Sequence, residues 1–395
     1  MNHKILELAS KYRPQMSQFL IDIISIPSMS CREKQVVERI KAEMEGCGFD
    51  EVRVDGLGSV IGRIGSGKRV LAFDAHIDTV DVGNRDLWEF DPFKGFEEGG
   101  KVFGRGASDQ KAGMASMVYA GKIIKELGLA KDFTLLFTGT VMEEDCDGLC
   151  WQYLIEEEKI RPEICVITEP TALRIYRGHR GRMEMQVDVP GLSAHGSAPE
   201  RGDNAIYKMA RIVSGIEKLN EKLKQDDFLG KGTVVVSQIE GHGPSQCAVA
   251  DISRIYLDRR LTWGETKESA IAEIEQVIKE ARLEKYKIWI PEYREKAYTG
   301  KIYPTEKYYP TWKFEENHPA VQSAIKAYRE LFDEKPTVDK WTFSTNGVAI
   351  AGKYKIPCIG FGPGFEEQAH APNEFCPVDH LEKAAAFYAS FPSTC

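Results

Sequence analysis

The stretch Leu71-Ala72-Phe73-Asp74-Ala75-His76-Ile77-Asp78 sets the fold class, because an apolar, strand-like run leads directly into a histidine and an aspartate. Three later runs end similarly: residues 133–137 lead to Glu143-Glu144, residues 164–167 to Glu169, and residues 356–359, through a glycine-rich turn, to His370. In open α/β sheets, ligands bind outside the carboxyl ends of the strands, so we expect these side chains at one edge of one sheet. Histidine and carboxylates delivered there together favour a hydrolytic metal centre.

Composition limits the class of partner and the compartment. A net charge of −8 without a long basic run argues against nucleic acid and anionic membranes. Residues 5–26 alternate apolar with charged residues, unlike the apolar core of a signal peptide, and no later run is long enough to span a bilayer. The nine cysteines are an odd number, scattered without CxxC pairs, so we expect free thiols in a cytoplasmic protein.

Two patterns of elements divide the chain. Before residue 180, apolar strands alternate with helices predicted at residues 3–26, 32–47 and 112–127, which indicates a parallel or mixed α/β sheet with helices on both faces. After Arg180 the predicted elements are a strand at 183–189, a helix at 203–223, strands at 233–239 and 251–261, a helix at 266–282 and a strand at 286–290. This βαββαβ order is the ferredoxin-like α+β arrangement.

The second block interrupts the metal-binding domain, because Glu169 precedes it and His370 follows it. We therefore expect a catalytic domain made of residues 1–179 and 294–395. Residues 180–293 would form an inserted lid and dimerisation domain. The aromatic stretch 298–313 is expected to return to the catalytic domain.

As a set, the motifs resemble those of the M20 metallopeptidase family. The matching segments are His76-Ile77-Asp78, residues 88–93 leading to 104–111, Glu143-Glu144, residues 168–170 and residues 369–374. That family includes succinyl-diaminopimelate desuccinylase, acetylornithine deacetylase, aminoacylase and glutamate carboxypeptidase. Within it, the chain is most similar to a bacterial subgroup linked by name to selenium metabolism. The resemblance implies a zinc-exopeptidase-like mixed sheet with helices on both faces, plus a ferredoxin-like lid.

The resemblance also implies a centre for two divalent metal ions. The implied ligands are His76 and Glu169 for one ion, Glu144 and His370 for the other, and Asp109 as the bridge between them. Imidazole and carboxylate suit Zn²⁺, the expected metal, and also Co²⁺ or Mn²⁺. The family further implies a cis peptide bond between Asp109 and Gln110.

Three catalytic roles follow from the same resemblance. Asp78 would accept the second ring N–H of His76 and fix its tautomer. Glu143 would take a proton from water and pass it to the leaving amine. His195 would reach the site of a partner subunit and stabilise the oxyanion, which implies a homodimer through the lid. The residue types alone leave alternatives open: a turn residue for Asp78, a second ligand or surface acid for Glu143, and an exposed loop histidine for His195.

Candidate substrate-binding residues carry the weakest signal. Arg260 lies where relatives bind a substrate carboxylate, although a structural ion pair with Asp258 is the alternative. Ser344, Thr345 and Asn346 match a segment that touches substrate in relatives. The chain departs from the family here, because residues 243–249 replace an Asn-x-x-Pro segment and Asn346 stands where the desuccinylase has Asp.

The resemblance implies a metal-dependent hydrolase that cleaves the amide bond of a small N-acyl amino acid or dipeptide-like substrate with a free carboxylate. A dipeptidase or aminopeptidase and an N-carbamoyl amino acid hydrolase would use the same site, so both stay open. The compact lid argues against dipeptidases of the carnosinase type. A non-catalytic binding protein is a remote alternative, because every implied ligand and Glu143 are present.

Overall fold

The computed structural model describes all 395 residues and divides them into two compact units. Unit 1 comprises Met1–Gly178, Arg294–Tyr303 and Lys313–Cys395, and unit 2 comprises His179–Tyr293 and Pro304–Trp312. None of the helices combines the length and the apolar character that crossing a membrane requires.

The elements follow the chain in this order. The helices are α1 (Asn2–Ile24), α2 (Lys34–Gly46), α3 (Lys111–Leu127), α4 (Leu149–Glu156), α5 (Ala205–Lys222), α6 (Lys267–Glu280), α7 (Pro319–Phe332) and α8 (Val378–Ser390). The strands are β1 (Glu51–Val54), β2 (Val60–Ile64), β3 (Arg69–His76), β4 (Phe96–Glu98), β5 (Lys101–Phe103), β6 (Phe133–Thr140), β7 (Ile164–Ile167), β8 (Ile175–Tyr176), β9 (Gly178–His179), β10 (Gly181–Pro190), β11 (Gln225–Asp226), β12 (Gly230–Lys231), β13 (Thr233–His242), β14 (Ile252–Leu261), β15 (Lys287–Trp289), β16 (Glu292–Tyr293), β17 (Thr305–Glu306), β18 (Tyr308–Tyr309), β19 (Trp312–Lys313), β20 (Val338–Asp339), β21 (Cys358–Gly360) and β22 (Phe375–Pro377).

Unit 1 is built on an eight-stranded mixed sheet of order β1-β2-β6-β3-β7-β21-β8-β20. Strand β3 is parallel to both its neighbours, β6 and β7, and β21 is parallel to β7, whereas β1 and β2 add antiparallel pairs. Residues 71–76 of β3 are all buried. Because successive side chains in a strand point to opposite faces, both faces of the sheet are covered at this strand. This confirms the predicted α/β class.

Helix α3 packs closely against the end of β7. It begins two residues after Asp109, and its first ten residues are buried. A Cβ atom at Gly113 would overlap the side chain and the carbonyl oxygen of Thr168. Glycine at this position therefore brings the start of α3 beside the loop that carries Glu169.

Unit 2 combines helices α5 and α6 with a five-stranded antiparallel sheet, in which four strands have the order β13-β14-β10-β15 and the short β18 also pairs with β10. Along β10, Met183, Met185, Val187 and Val189 are buried, and their partners in the core include residues of both helices. This arrangement confirms the predicted ferredoxin-like fold. Strand β13 lies at the edge of the sheet, with Val235 and Ile239 exposed.

One prediction about the units is corrected. Residues 304–312, expected in the catalytic domain, belong to unit 2. Strand β15 pairs only with residues 186–188 of β10, and β18 pairs with Arg182 and Met183 further along the same edge. The segment therefore extends the sheet of unit 2, where Tyr309 and Trp312 are buried.

Candidate metal centre

The candidate site lies at the carboxyl edge of the sheet in unit 1. His76 is the last residue of β3, Glu143 and Glu144 follow β6, Glu169 follows β7, and His370 follows β21. These four strands are adjacent, and each is parallel to its neighbour, so their carboxyl ends meet at one edge. The structure thus brings the predicted residues together for the topological reason inferred from the sequence.

The five predicted ligands form two groups that share Asp109. Nε2 of His76 lies 3.0 Å from Oδ1 of Asp109 and 3.5 Å from Oε1 of Glu169. Nε2 of His370 lies 2.9 Å from Oε2 of Glu144 and 3.5 Å from Oδ2 of Asp109. The two oxygens of Asp109 therefore face different histidines, which is the placement that a bridging carboxylate requires.

The site contains buried acidic groups whose negative charge bound cations would balance. Burial raises the pKa of Glu143 and that of Glu169 well above their ordinary values. Burial alone would lower the pKa of His76, but neighbouring Glu169 and Glu143 raise it well above its ordinary value. Oε1 of Glu143 and Oε2 of Glu169 are buried and have no hydrogen-bond partner. Buried carboxylates are stable when they are paired or coordinate metals, so the donor set fits divalent cations.

Asp78 differs in detail from its predicted role. The nearest partner of Nδ1 of His76 is the main-chain oxygen of Asp78, at 2.9 Å, whereas the carboxylate Oδ1 lies at 3.5 Å. The carboxylate instead accepts the main-chain N–H groups of Glu143, at 3.2 Å, and Glu144, at 3.1 Å. Asp78 therefore both orients His76 and holds the loop that follows β6.

The predicted cis peptide bond between Asp109 and Gln110 is confirmed. The loop before it is held by Glu374, a fully buried residue to which the sequence analysis assigned no role. Its Oε1 accepts the N–H groups of Ser108 and Asp109, at 2.8 and 2.9 Å, and its Oε2 accepts that of Gly106, at 2.9 Å. Oε2 also pairs with Arg105, at 2.9 Å. The only sequence signal was its place four residues after His370, in the family motif.

The structure contradicts the predicted substrate role of Asn346, whereas the predicted role of its neighbour Thr345 stays a prediction. Both are buried, with Asn346 only 1% exposed. The side-chain amide of Asn346 donates to Asp74, at 2.8 Å, and to Thr140, at 3.1 Å. Its oxygen accepts from the N–H of Gly148, at 3.0 Å, and from the Cys150 thiol, at 3.1 Å. The amide thus joins β3, β6 and the start of α4 inside unit 1. Ser344 is half-buried, and its hydroxyl has no hydrogen-bond partner.

The candidate residues of unit 2 lie on its surface. Arg260 forms two contacts with Asp258, at 2.8 and 2.9 Å, which is the ion pair left open as an alternative. His195 is on an exposed loop, and its Nδ1 lies 2.7 Å from the Ser197 hydroxyl. The next residue, Gly196, donates its N–H to the carbonyl of the exposed Cys247.

Residues 72–394 match the family model described as peptidase family M20/M25/M40. Over 388 residues the chain is 56% identical to the Escherichia coli (strain K12) protein named "Uncharacterized protein YgeY", covering 98% of this chain and 96% of that one. An acetylornithine deacetylase of Buchnera aphidicola subsp. Schizaphis graminum is 28% identical over 80% of this chain and 78% of its own length.

Two solved structures share the fold. The aminopeptidase PepT from Bacillus cereus is 21% identical with a TM-score of 0.72, covering 97% of this chain and 98% of that one. YXEP from Bacillus subtilis, described as a dinuclear metal-binding peptidase of the M20 family, is 16% identical with a TM-score of 0.69 over 97% and 98%. The family match over most of the chain and the close bacterial relative together decide the assignment. This protein is a hydrolase of peptidase family M20/M25/M40.

Proposed function

We propose that this hydrolase cleaves the amide bond of a small N-acyl amino acid or dipeptide-like substrate that carries a free carboxylate, with Glu143 as the proton carrier. The observation that supports this most directly is the position of Glu143. Its carboxylate is buried beside the candidate metal ligands, with Oε2 3.9 Å from Nε2 of His76 and Oε1 without a partner. A carboxylate in this position has no structural bond that would be lost when it binds a proton.

The proposed metal centre takes two divalent ions, with zinc expected and cobalt or manganese as alternatives. The proposed ligands are His76 and Glu169, Glu144 and His370, and the shared Asp109. Divalent ions bound there would lower the pKa of water and polarise the scissile carbonyl. Nδ1 of His76 is held by the carbonyl of Asp78, which directs its Nε2 towards Asp109 and Glu169.

Glu143 moves the proton in this proposal. Its carboxyl group takes a proton from water and gives it to the leaving amine. Its main-chain N–H is bonded to Asp78, so the loop does not need to reorganise during this transfer. The adjacent Glu144 is hydrogen-bonded to His370. Glu143, in contrast, has no histidine within hydrogen-bond distance, since His76 lies 3.9 Å away.

Deacylation is the first choice of reaction because the acetylornithine deacetylase is similar over four-fifths of this chain. A dipeptidase or aminopeptidase is the alternative favoured by the likeness to PepT, and N-carbamoyl amino acid hydrolysis uses the same chemistry. We propose Arg260 as the group that binds the substrate carboxylate. Its side chain is 33% exposed, so a carboxylate could replace or share Asp258.

A homodimer through unit 2 is proposed from its edge strand. Strand β13 is ten residues long and lies at the sheet edge, with Val235 56% and Ile239 55% exposed. An edge with unpaired main-chain groups and exposed apolar side chains is a template for a strand of another chain. His195 would then act at the site of the partner subunit. A cytoplasmic location is proposed because none of the nine cysteines is in a disulfide.

The test compares wild type with Glu143→Gln, each loaded with Zn²⁺, Co²⁺ or Mn²⁺. Both are incubated with N-acyl amino acids, N-carbamoyl amino acids and dipeptides, and products are identified by mass spectrometry. We expect the variant to bind as much metal as wild type and to lose about 10²–10⁴-fold in kcat. Glu38→Gln, at an exposed position of α2, is the matched control and should retain full activity. Equal turnover in Glu143→Gln would exclude this residue as the proton carrier, and absence of bound metal in wild type would exclude the metal centre.

A further inference from the structure

Glu33 is a buried carboxylate that the proposed mechanism does not use. It immediately precedes α2, where a glutamate is ordinarily solvated, yet its side chain is fully buried. Its Oε1 accepts the N–H of Cys31, at 2.9 Å, and the N–H of Met142, at 3.1 Å. Met142 is 109 residues away along the chain and directly precedes Glu143.

The hydrogen bond from Met142 is the first of three such bonds made by consecutive main-chain N–H groups. The N–H groups of three consecutive residues, Met142, Glu143 and Glu144, are accepted by two carboxylates. Glu33 takes the first, and Asp78 takes the other two. Met142 has a φ of +62°, a conformation that a non-glycine residue rarely adopts and that its surroundings must hold.

The segment of residues 28–33, which ends with Glu33, also holds Asp78. The Ser30 hydroxyl donates to Oδ2 of Asp78, at 2.6 Å, and the Ser28 hydroxyl donates to the carbonyl of Ile77, at 2.8 Å. Residues 28–33 therefore contact both the segment that follows β3, at Ile77 and Asp78, and the loop that follows β6. Glu33 is the member of this segment that bonds directly to the loop carrying Glu143.

We infer that Glu33 is a positioning residue for Glu143: its carboxylate fixes the main chain at Met142 and thereby the direction of the Glu143 side chain. The inference rests on the proposed role of Glu143. It requires only the acceptor Oε1, because Oε2 of Glu33 is buried without a partner. Burial raises the pKa of Glu33 to about 8, so a neutral side chain with one acceptor is a fair substitute near pH 7.

The experiment uses two near-isosteric variants. Glu33→Gln keeps an acceptor at the position of Oε1, and Glu33→Met removes it at similar volume. Glu38→Met, at an exposed position of α2, is the control. For each protein we would measure Tm, bound metal, kcat and KM on the substrate found above, and hydrogen exchange of peptides that contain residue 142.

For Glu33→Met we expect kcat to fall about 10–100-fold, as for other residues that orient active-site groups, with KM and bound metal unchanged. Exchange at residue 142 should rise roughly fivefold, the factor that corresponds to one hydrogen bond. Glu33→Gln should behave as wild type in both respects. A purely structural role would instead lower Tm and bound metal together with activity.

Three outcomes would overturn the inference: wild-type kcat and exchange in Glu33→Met, equal impairment in Glu33→Gln, or a loss of metal and Tm that accounts for the loss of activity. If Glu33→Met does not fold, impairment in Glu33→Gln decides against the inference and wild-type behaviour supports it. If wild type and Glu38→Met turn over no substrate, the proposed function fails, while the exchange data still test whether Glu33 holds residue 142.

Discussion

Replacing Asn346 by leucine is expected to destabilise unit 1 without a matching loss of substrate binding. The side-chain amide is bonded on all sides within the protein, to Asp74, Thr140, Gly148 and Cys150. Leucine has a similar volume but neither a donor nor an acceptor. The variant therefore removes the hydrogen bonds and leaves the packing largely in place.

The size of the effect follows from the groups that lose a partner. Oδ2 of Asp74 loses the amide donor, and the N–H of Gly148 loses its acceptor, both in the interior. A buried polar group left without a partner costs about 1–3 kcal/mol, so the two together cost about 2–6 kcal/mol. For a unit of this size Tm falls by about 2 °C for each kcal/mol, so the expected decrease is about 4–12 °C.

Scanning calorimetry at pH 7 and equal metal loading would measure the change. Ser344→Ala is the control, because the Ser344 hydroxyl has no hydrogen-bond partner and its loss should shift Tm by less than about 1 °C. A Tm for Asn346→Leu within that range, together with a raised KM, would refute the structural role. It would restore the interpretation of Asn346 as a substrate-binding residue.

Three further changes test other parts of the structure. Glu374→Gln places an amide donor against main-chain N–H groups of residues 106–109, which the carboxylate of Glu374 accepts in wild type. Metal affinity, measured by competition with a chelator, should therefore fall about 10–100-fold. Unchanged affinity would contradict this role of Glu374. Burial raises the pKa of Asp55 to about 6, above the value near 3.9 of an unfolded chain, so the folded state binds the proton more tightly. Titration of Asp55 should therefore lower the free energy of unfolding, measured in urea, by about 2 kcal/mol as pH rises from about 4 to 6. Asp55→Asn, whose Oδ1 can still accept from Gly58 and Ser59, should reduce the fall measured for wild type by that amount, and an equal fall in both proteins would contradict the role of Asp55. Val235→Lys places a charge on the edge of β13 and should yield a monomer in sedimentation; a wild-type protein that is itself monomeric would disprove the proposed dimer.

The sequence predicted the parts of the fold that leave a local pattern. Strand β3 is buried on both faces and so reads as an apolar run, and its end at His76 marked the edge of the sheet. The alternation along β10, with every second residue buried, identified unit 2. Helix ends were predicted to within two residues at α1 and one at α3, where Gly128 takes a left-handed φ of +63°.

The missed features depend on partners distant in sequence. Asn346 contacts residues 74, 140 and 148, so no window of sequence shows that its amide is used internally. Glu33, a single acid before a helix, has the sequence pattern of a solvated residue. Strand β18 is two residues long, too short for a period to be visible, so the sequence of residues 304–312 does not show that they belong to unit 2.

The exposed thiol of Cys247 has a practical consequence. It is the only exposed cysteine of the nine, since six are buried and Cys31 and Cys395 are partly covered. A maleimide dye or nitroxide should therefore attach at Cys247 first, without any prior substitution of cysteines. Because the Cys247 carbonyl is bonded to the residue after His195, the probe would report on the surroundings of that loop. The natural chain thus carries its own attachment point for fluorescence or spin-label measurements of the His195 loop.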